Sequence, residues 1–210
     1  MRRYFWVLVC LFTCVFLVQA FAQQTLVLRP DAENGKDGYI NSIKPDKNYQ
    51  FQTIVAAAWT IKGVPTIVRG LVEFDLSQIP ENATVLRATL SLYAFNSPAD
   101  GNHSTSGGSN EALLQRITSD WDKSTLTWNN QPVTTFENQV ELIESVSSLE
   151  DYLNINVTQL VQDMVANPSC SFGFILRLVT EVHYRRMLFA SSDNHNPNLH
   201  PKLEIEYTLN

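Results

Sequence analysis

From Thr84 to Phe95 apolar and polar positions alternate strictly. Leu86, Ala88, Leu90, Leu92 and Ala94 share one face, and Arg87, Thr89, Ser91 and Tyr93 share the other. That period of two is the pattern of a strand with one buried side. Phe172, Phe174, Leu176 and Leu178 repeat it, as do Leu203, Ile205 and Tyr207 against Lys202, Glu204 and Glu206. Further strands are predicted over 25–29, 38–43, 51–57, 66–74, 111–117, 139–144 and 185–190. Turn-forming clusters such as Glu33-Asn34-Gly35 and Ile79-Pro80-Glu81-Asn82 separate them. One stretch breaks the pattern: Leu160, Val161, Met164 and Val165 recur at helical spacing, with Thr158 placed to cap and Asn167-Pro168 to stop. About ten strands and one short helix predict an all-β domain, a two-sheet antiparallel β-sandwich of jelly-roll type, with a closed barrel ranked second. No internal repeat is evident, which excludes solenoids and propellers. The Gly/Ser-rich stretch "PADGNHSTSGGSN", 98–110, is expected to be an exposed, mobile loop carrying a solvent-exposed His103.

The N-terminus stands apart from this pattern. Arg2 and Arg3 precede an apolar run, Phe5 to Val18, and Ala20-Phe21-Ala22 offers a small-x-small cleavage site. Residues 1–22 therefore read as a secretory signal peptide, and 23–210 as one secreted domain at or outside the cell surface. A single-span anchor is the alternative, but the run is short for one. No membrane insertion is expected after cleavage. Losing two arginines leaves thirteen Lys and Arg against twenty-one Asp and Glu, so the formal charge moves from −6 to −8. A net-acidic chain argues against nucleic acid or an anionic membrane as main partner. Cys170 alone follows the leader, so the domain forms no internal disulfide and relies on its core or a metal.

Candidate chemistry is sparse. There is no Gly-x-Ser-x-Gly, no His-x-x-x-His and no paired-cysteine spacing, so neither a hydrolase nucleophile nor zinc is indicated. The stretch "RPDAENGKDGY" gathers oxygen donors, with Asp31 and Asp37 as candidate ligands of a structural calcium. It lacks EF-hand spacing, and ordinary turn chemistry explains it equally. The most cationic spot is "EVHYRRM", 181–187. There Tyr184, Arg185 and Arg186 are candidate ligand-binding residues, because an acidic sugar wants an Arg fork on its carboxylate and an aromatic ring beneath it. In an extended segment Tyr184 and Arg186 share a face while Arg185 points oppositely, so one arginine alone would line a sheet-face groove. Trp59, in "AAAWTIKG", is the second aromatic candidate. A merely solvated face is the plain alternative.

Six segments, "VEFDLSQIP" (72–80), "ATVLRATLSLY" (83–93), "SDWDKSTLTWNNQP" (119–132), "NINVTQLVQDM" (154–164), "SFGFILRL" (171–178) and "HPKLEIEYT" (200–208), occur in one order. In that order the chain, from about Leu26 to Leu209, resembles DNRLRE-type domains. These are a β-sandwich family overlapping carbohydrate-binding module family 96, which is associated with alginate. The resemblance implies a non-catalytic module appended to or secreted beside polysaccharide-degrading enzymes. Departures stand at Lys123, where the family often has an acid, at Asn156, where it often has aspartate, and at Gln50, where it often has glycine. The Trp121 and Trp128 segment recurs beside different enzymes, which suits a structural corner, with Trp128 in a short strand, better than a ligand platform. The primary expectation is a secreted carbohydrate-binding module for an acidic polysaccharide such as alginate, without enzymatic activity. A structural or adhesive sandwich with a cell-surface protein partner, and a small polysaccharide lyase or hydrolase, are the rivals.

Overall fold

The computed structural model describes residues 23–50 and 53–209; the expected leader over 1–22 lies outside them, as do residues 51 and 52 of one predicted strand. Among the described residues the alternating runs become β1 (Gln23–Leu28), β2 (Lys36–Asn41), β3 (Ile54–Ile61), β4 (Val64–Glu73), β5 (Thr84–Leu92) and β6 (Ala112–Ile117). Then come β7 (Thr134–Leu142), β8 (Tyr152–Asn156), α1 (Thr158–Ala166), β9 (Phe174–Leu178), β10 (Arg185–Phe189) and β11 (Lys202–Thr208). One sheet runs β1-β11-β5-β8; the other runs β10-β3-β4-β9-β6-β7, with β2 also paired to β4. All these pairings are antiparallel. Two separate antiparallel sheets make a sandwich, not a closed barrel.

Between the sheets lies the main core. Ile54, Ala56 and Ala58 of β3, Phe174, Leu176 and Leu178 of β9, and Leu203, Ile205 and Tyr207 of β11 all point into it. Helix α1 closes one end with Leu160, Val161, Met164 and Val165, the predicted stripe. Thr158 does not cap it. Thr158 is the first helical residue, and the Asn156 side chain accepts its backbone N–H at 3.1 Å.

Two strand predictions need correction. The face assigned to β5 slips at its start, because a bulge opposite Glu206 and Tyr207 turns Leu86 outward, 48% exposed, and Val85 inward. A bulge adds one residue to one strand and so reverses the alternation beyond it. Strand β8, "YLNIN", was not predicted, since only Tyr152 of its five residues is buried.

The seven-stranded sheet is also covered on its outer side. Trp121, Leu126, Ile40, Leu71, Ile117 and Ile175 form a second core, with Trp128 packed against it. Trp121 donates its indole N–H to the Phe172 carbonyl at 2.9 Å. Trp128 lies in a bend, not in a strand, with the Arg69 guanidinium 4.9 Å from its ring centroid. A third cluster, Tyr39, Val55, Ala57, Val68 and Leu188, packs with Tyr49 and Phe95. The 119–132 segment therefore completes the fold by roofing one half of a sheet face.

Candidate functional site

Register decides which side chains meet outside the third cluster. In β3 the even positions enter the main core, so Val55, Ala57 and Trp59 face outward. In β10 Met187 and Phe189 go inward while Leu188 faces outward. Arg186 pairs with Ala57 and Arg185 with Ala58, which sets Tyr184 across from Trp59. Trp59 and Tyr184 meet edge to face, their centroids 5.2 Å apart, and the Tyr184 hydroxyl lies 3.3 Å from Thr60 Oγ1. The Arg186 guanidinium sits 4.8 Å from the Trp59 ring centroid. Tyr184 adopts φ 67°, a left-handed conformation just ahead of the first residue of β10, while its N–H still bonds the Ala58 carbonyl at 2.8 Å.

Thus the structure brings together three of the four predicted residues, Trp59, Tyr184 and Arg186. Arg185 points elsewhere, donating to the Val182 carbonyl at 3.0 Å and packing beside Gly108.

The Gly/Ser stretch is not a free loop. Ser97 and Gly101 exchange backbone bonds of 2.8 Å, and Ser104 and Arg186 exchange bonds of 2.8 and 2.9 Å. Arg186 Nε donates to the Asn102 carbonyl, and Gly101, at φ 80°, leaves room for the guanidinium where a Cβ would stand 2.6 Å from Nη2. His103 is buried, 3% exposed, contrary to expectation. Its Nδ1 accepts the Leu188 N–H at 2.9 Å, so Nε2 carries the proton donated to the Glu150 carbonyl at 2.9 Å. Burial first, and Arg186 nearby, pull its pKa below the ordinary value, against the opposing pull of the Glu150 carbonyl and carboxylate. The backbone groups of Leu188 and Glu150 needed a partner, and an imidazole between strands supplies both a donor and an acceptor.

Trp59 and Arg186 stand between two hollows. One, of about 510 Å³, is walled by 102–106 and 145–148 and lined by the hydroxyl-bearing Ser104, Thr105, Ser106, Ser145, Ser147 and Ser148, with no carboxylate residue in its lining. The other, of about 200 Å³, holds Tyr39, Asn41 and Asp100. Among the described residues no carboxylate lies within ion-pair distance of Arg186. Burial pushes its pKa down and Asp100 partly restores it. A desolvated cation without a counter-ion, on an aromatic face beside a hydroxyl-lined groove, is prepared for an anion. A third hollow, about 410 Å³ near α1, is lined by Glu73, Asp75 and Glu81, the wrong charge for one.

The serines at 145, 147 and 148 were not singled out from sequence. Loop serines signal turns, and nothing local says that these face a tryptophan some ninety residues away.

Asp31 and Asp37 have different partners. Asp31 Oδ1 accepts from Glu33 N, Asn34 N and Asn34 Nδ2 at 3.0–3.1 Å, which lowers its pKa and commits it to its own turn. Asp37 is fully buried, with Oδ2 accepting from Ser192 N at 2.8 Å. Among the described residues no three His, Cys, Asp or Glu side chains gather to hold a metal.

The sequence model of carbohydrate-binding module family 96 matches residues 31–207. No curated protein matches the chain.

Proposed function

Because the chain belongs to carbohydrate-binding module family 96, we propose that it binds an acidic polysaccharide in the hydroxyl-lined groove beside Arg186. The observation that carries this is the half-buried Arg186 guanidinium, stacked on Trp59 and without a carboxylate partner. A uronate carboxylate supplies that partner through the Nη groups, since Nε is already engaged by Asn102. Trp59 and Tyr184 offer apolar ring surface at the groove's rim, and the serine hydroxyls both donate to and accept from sugar hydroxyls. The neighbouring hollow holds Asp100 and repels the same anion.

Binding without chemistry is part of the reading. The groove's histidine, His103, has both ring nitrogens committed to backbone groups and is not offered to a substrate as a general base. Alginate as the polymer, membership among DNRLRE-type domains and secretion through a leader ending at Ala22 belong to the same proposal.

Affinity electrophoresis through gels containing alginate or a neutral glucan tests it. Alginate is expected to retard the wild type, and added salt to relieve the retardation. Folded Arg186→Ala should lose about tenfold to a hundredfold in affinity, as one charge-assisted contact is worth about 1.5–3 kcal/mol. Arg185→Ala should bind as wild type. Equal retardation by the neutral glucan, or full binding by Arg186→Ala, refutes the site, and release of unsaturated uronate from the polymer refutes the non-catalytic role.

A further inference from the structure

At the other end of the sheet three loops converge on one buried charge. Lys123 Nζ donates to the Gly35 carbonyl at 3.1 Å and to Asp193 Oδ2 at 2.9 Å. The side chains of this pair are only 16% and 10% exposed. Beside them Asp37 and Ser192 are both 0% exposed, and among the described residues neither Asp37 Oδ1 nor Ser192 Oγ makes a hydrogen bond of good geometry. The loops touch closely: a Cβ on Gly35 would fall 1.8 Å from Ser192 Oγ. Burial pushes the Asp37 pKa up and Asp193 adds to the rise, while the Ser192 groups and the Lys123 charge pull it back.

The donors around the ammonium are a backbone carbonyl, a carboxylate oxygen and, next to them, a second carboxylate and a hydroxyl. These four are oxygens, three of them from loops and that of Asp37 from the start of β2, and two belong to carboxyl groups. That is the donor set of a hard divalent cation such as calcium. Here, however, a protonated amine on a long stem reaches into it from the 122–124 loop.

We propose that this three-loop cage is a cation site whose resident cation is the chain's own Lys123 ammonium, and that it takes calcium once that ammonium is removed. The physical demand is for charge: two carboxyl groups leaving water together stay ionised only with a cation beside them, whether covalently tethered or free. A tethered cation meets that demand at any calcium concentration. A lysine offsets the charge of Asp193 and leaves burial to push the Asp37 pKa up; calcium in its place would neutralise both carboxylates.

The test uses the whole domain, with melting temperature in chelator and in excess calcium, and terbium luminescence excited through Trp121, which lines the same hollow as Lys123 and Gly35. The wild type should melt identically with chelator or calcium and show no sensitised terbium emission from the cage. Lys123→Ala should melt lower in chelator, recover in calcium, and give terbium emission that calcium displaces. Lys123→Gln keeps a stem and a donor but no charge, and should respond in the same direction if the alanine variant does not fold. Calcium or terbium binding at this cage in the wild type overturns the proposal. So does a folded Lys123→Ala or Lys123→Gln variant indifferent to calcium, and so does failure of both variants to fold even with calcium present.

Discussion

Replacing Trp121 and Trp59 by alanine should give opposite outcomes, although both are tryptophans on the outer side of one sheet. Trp121 is 6% exposed within the second core, and its indole N–H bonds the Phe172 carbonyl. Burying roughly 200 Å² of aromatic side chain at about 25 cal/mol per Å² gives an upper bound of about 5 kcal/mol. Emptying such a site costs about 3–5 kcal/mol, and losing the hydrogen bond to a buried carbonyl belongs to the same loss. For a domain of this size each kcal/mol moves the melting point by about 2–4 °C, so Trp121→Ala should melt roughly 10 °C lower or more. Trp121→Phe, which keeps one aromatic ring and loses the other together with the N–H, should retain more than half of that stability. Urea denaturation followed by circular dichroism gives the free energies. Trp59→Ala should shift stability by well under half as much, yet weaken retardation in alginate gels. If Trp121→Ala unfolds like the wild type but no longer binds polysaccharide, the 119–132 segment is a ligand surface, and the assignment of roles to the two tryptophans is wrong.

His103 and Gly173 carry the remaining predictions. The folded His103 pKa lies below its unfolded value near 6.5, so its contribution to stability is complete above that value and is lost as pH falls through the folded pKa. Wild type should therefore lose more stability between about pH 7 and about pH 5 than His103→Gln, which has nothing to titrate there; equal slopes refute the argument. Gly173 has φ 85° and a Cβ there would lie 2.3 Å from the Val72 carbonyl oxygen, so Gly173→Ala should cost about 1–3 kcal/mol or more in urea titration. A variant as stable as wild type would mean that β4 and β9 do not approach as closely as described.

Much of this architecture is legible in the chain because burial on one side imposes a period. The faces of β9 and β11 and the stripe of α1 follow directly from it. Leu86 breaks the rule because a bulge is a two-strand event: Arg87 does not reveal that Glu206 sits across from it. Strand β8 escaped because an edge strand with four partly or fully exposed residues has no period to show. The cluster of Trp59, Tyr184 and Arg186 was legible as residue types and as a shared face, whereas their meeting depended on the β3–β10 register. His103 in a Gly/Ser-rich stretch looks solvated by composition, yet it satisfies two backbone groups that local sequence does not mention. The serine-lined wall is the least legible part, since it is assembled from loops whose only common property is where the strands beneath them end.

The pairing of β1 with β11 sets how the domain bears load. Gln23 lies opposite Thr208, and the two strands run antiparallel from there. Both ends of the described chain therefore leave from the same end of one ladder. Tension applied through them opens that ladder like a zipper, one pair at a time from Gln23 and Thr208 inward, instead of shearing all its hydrogen bonds at once. Force applied between one end and a polymer seated beside Arg186 takes a different path, through β10, β3 and the core of the sandwich. The ladder between the two ends is thus mechanically soft, and the path through β10, β3 and the core is the stiffer one.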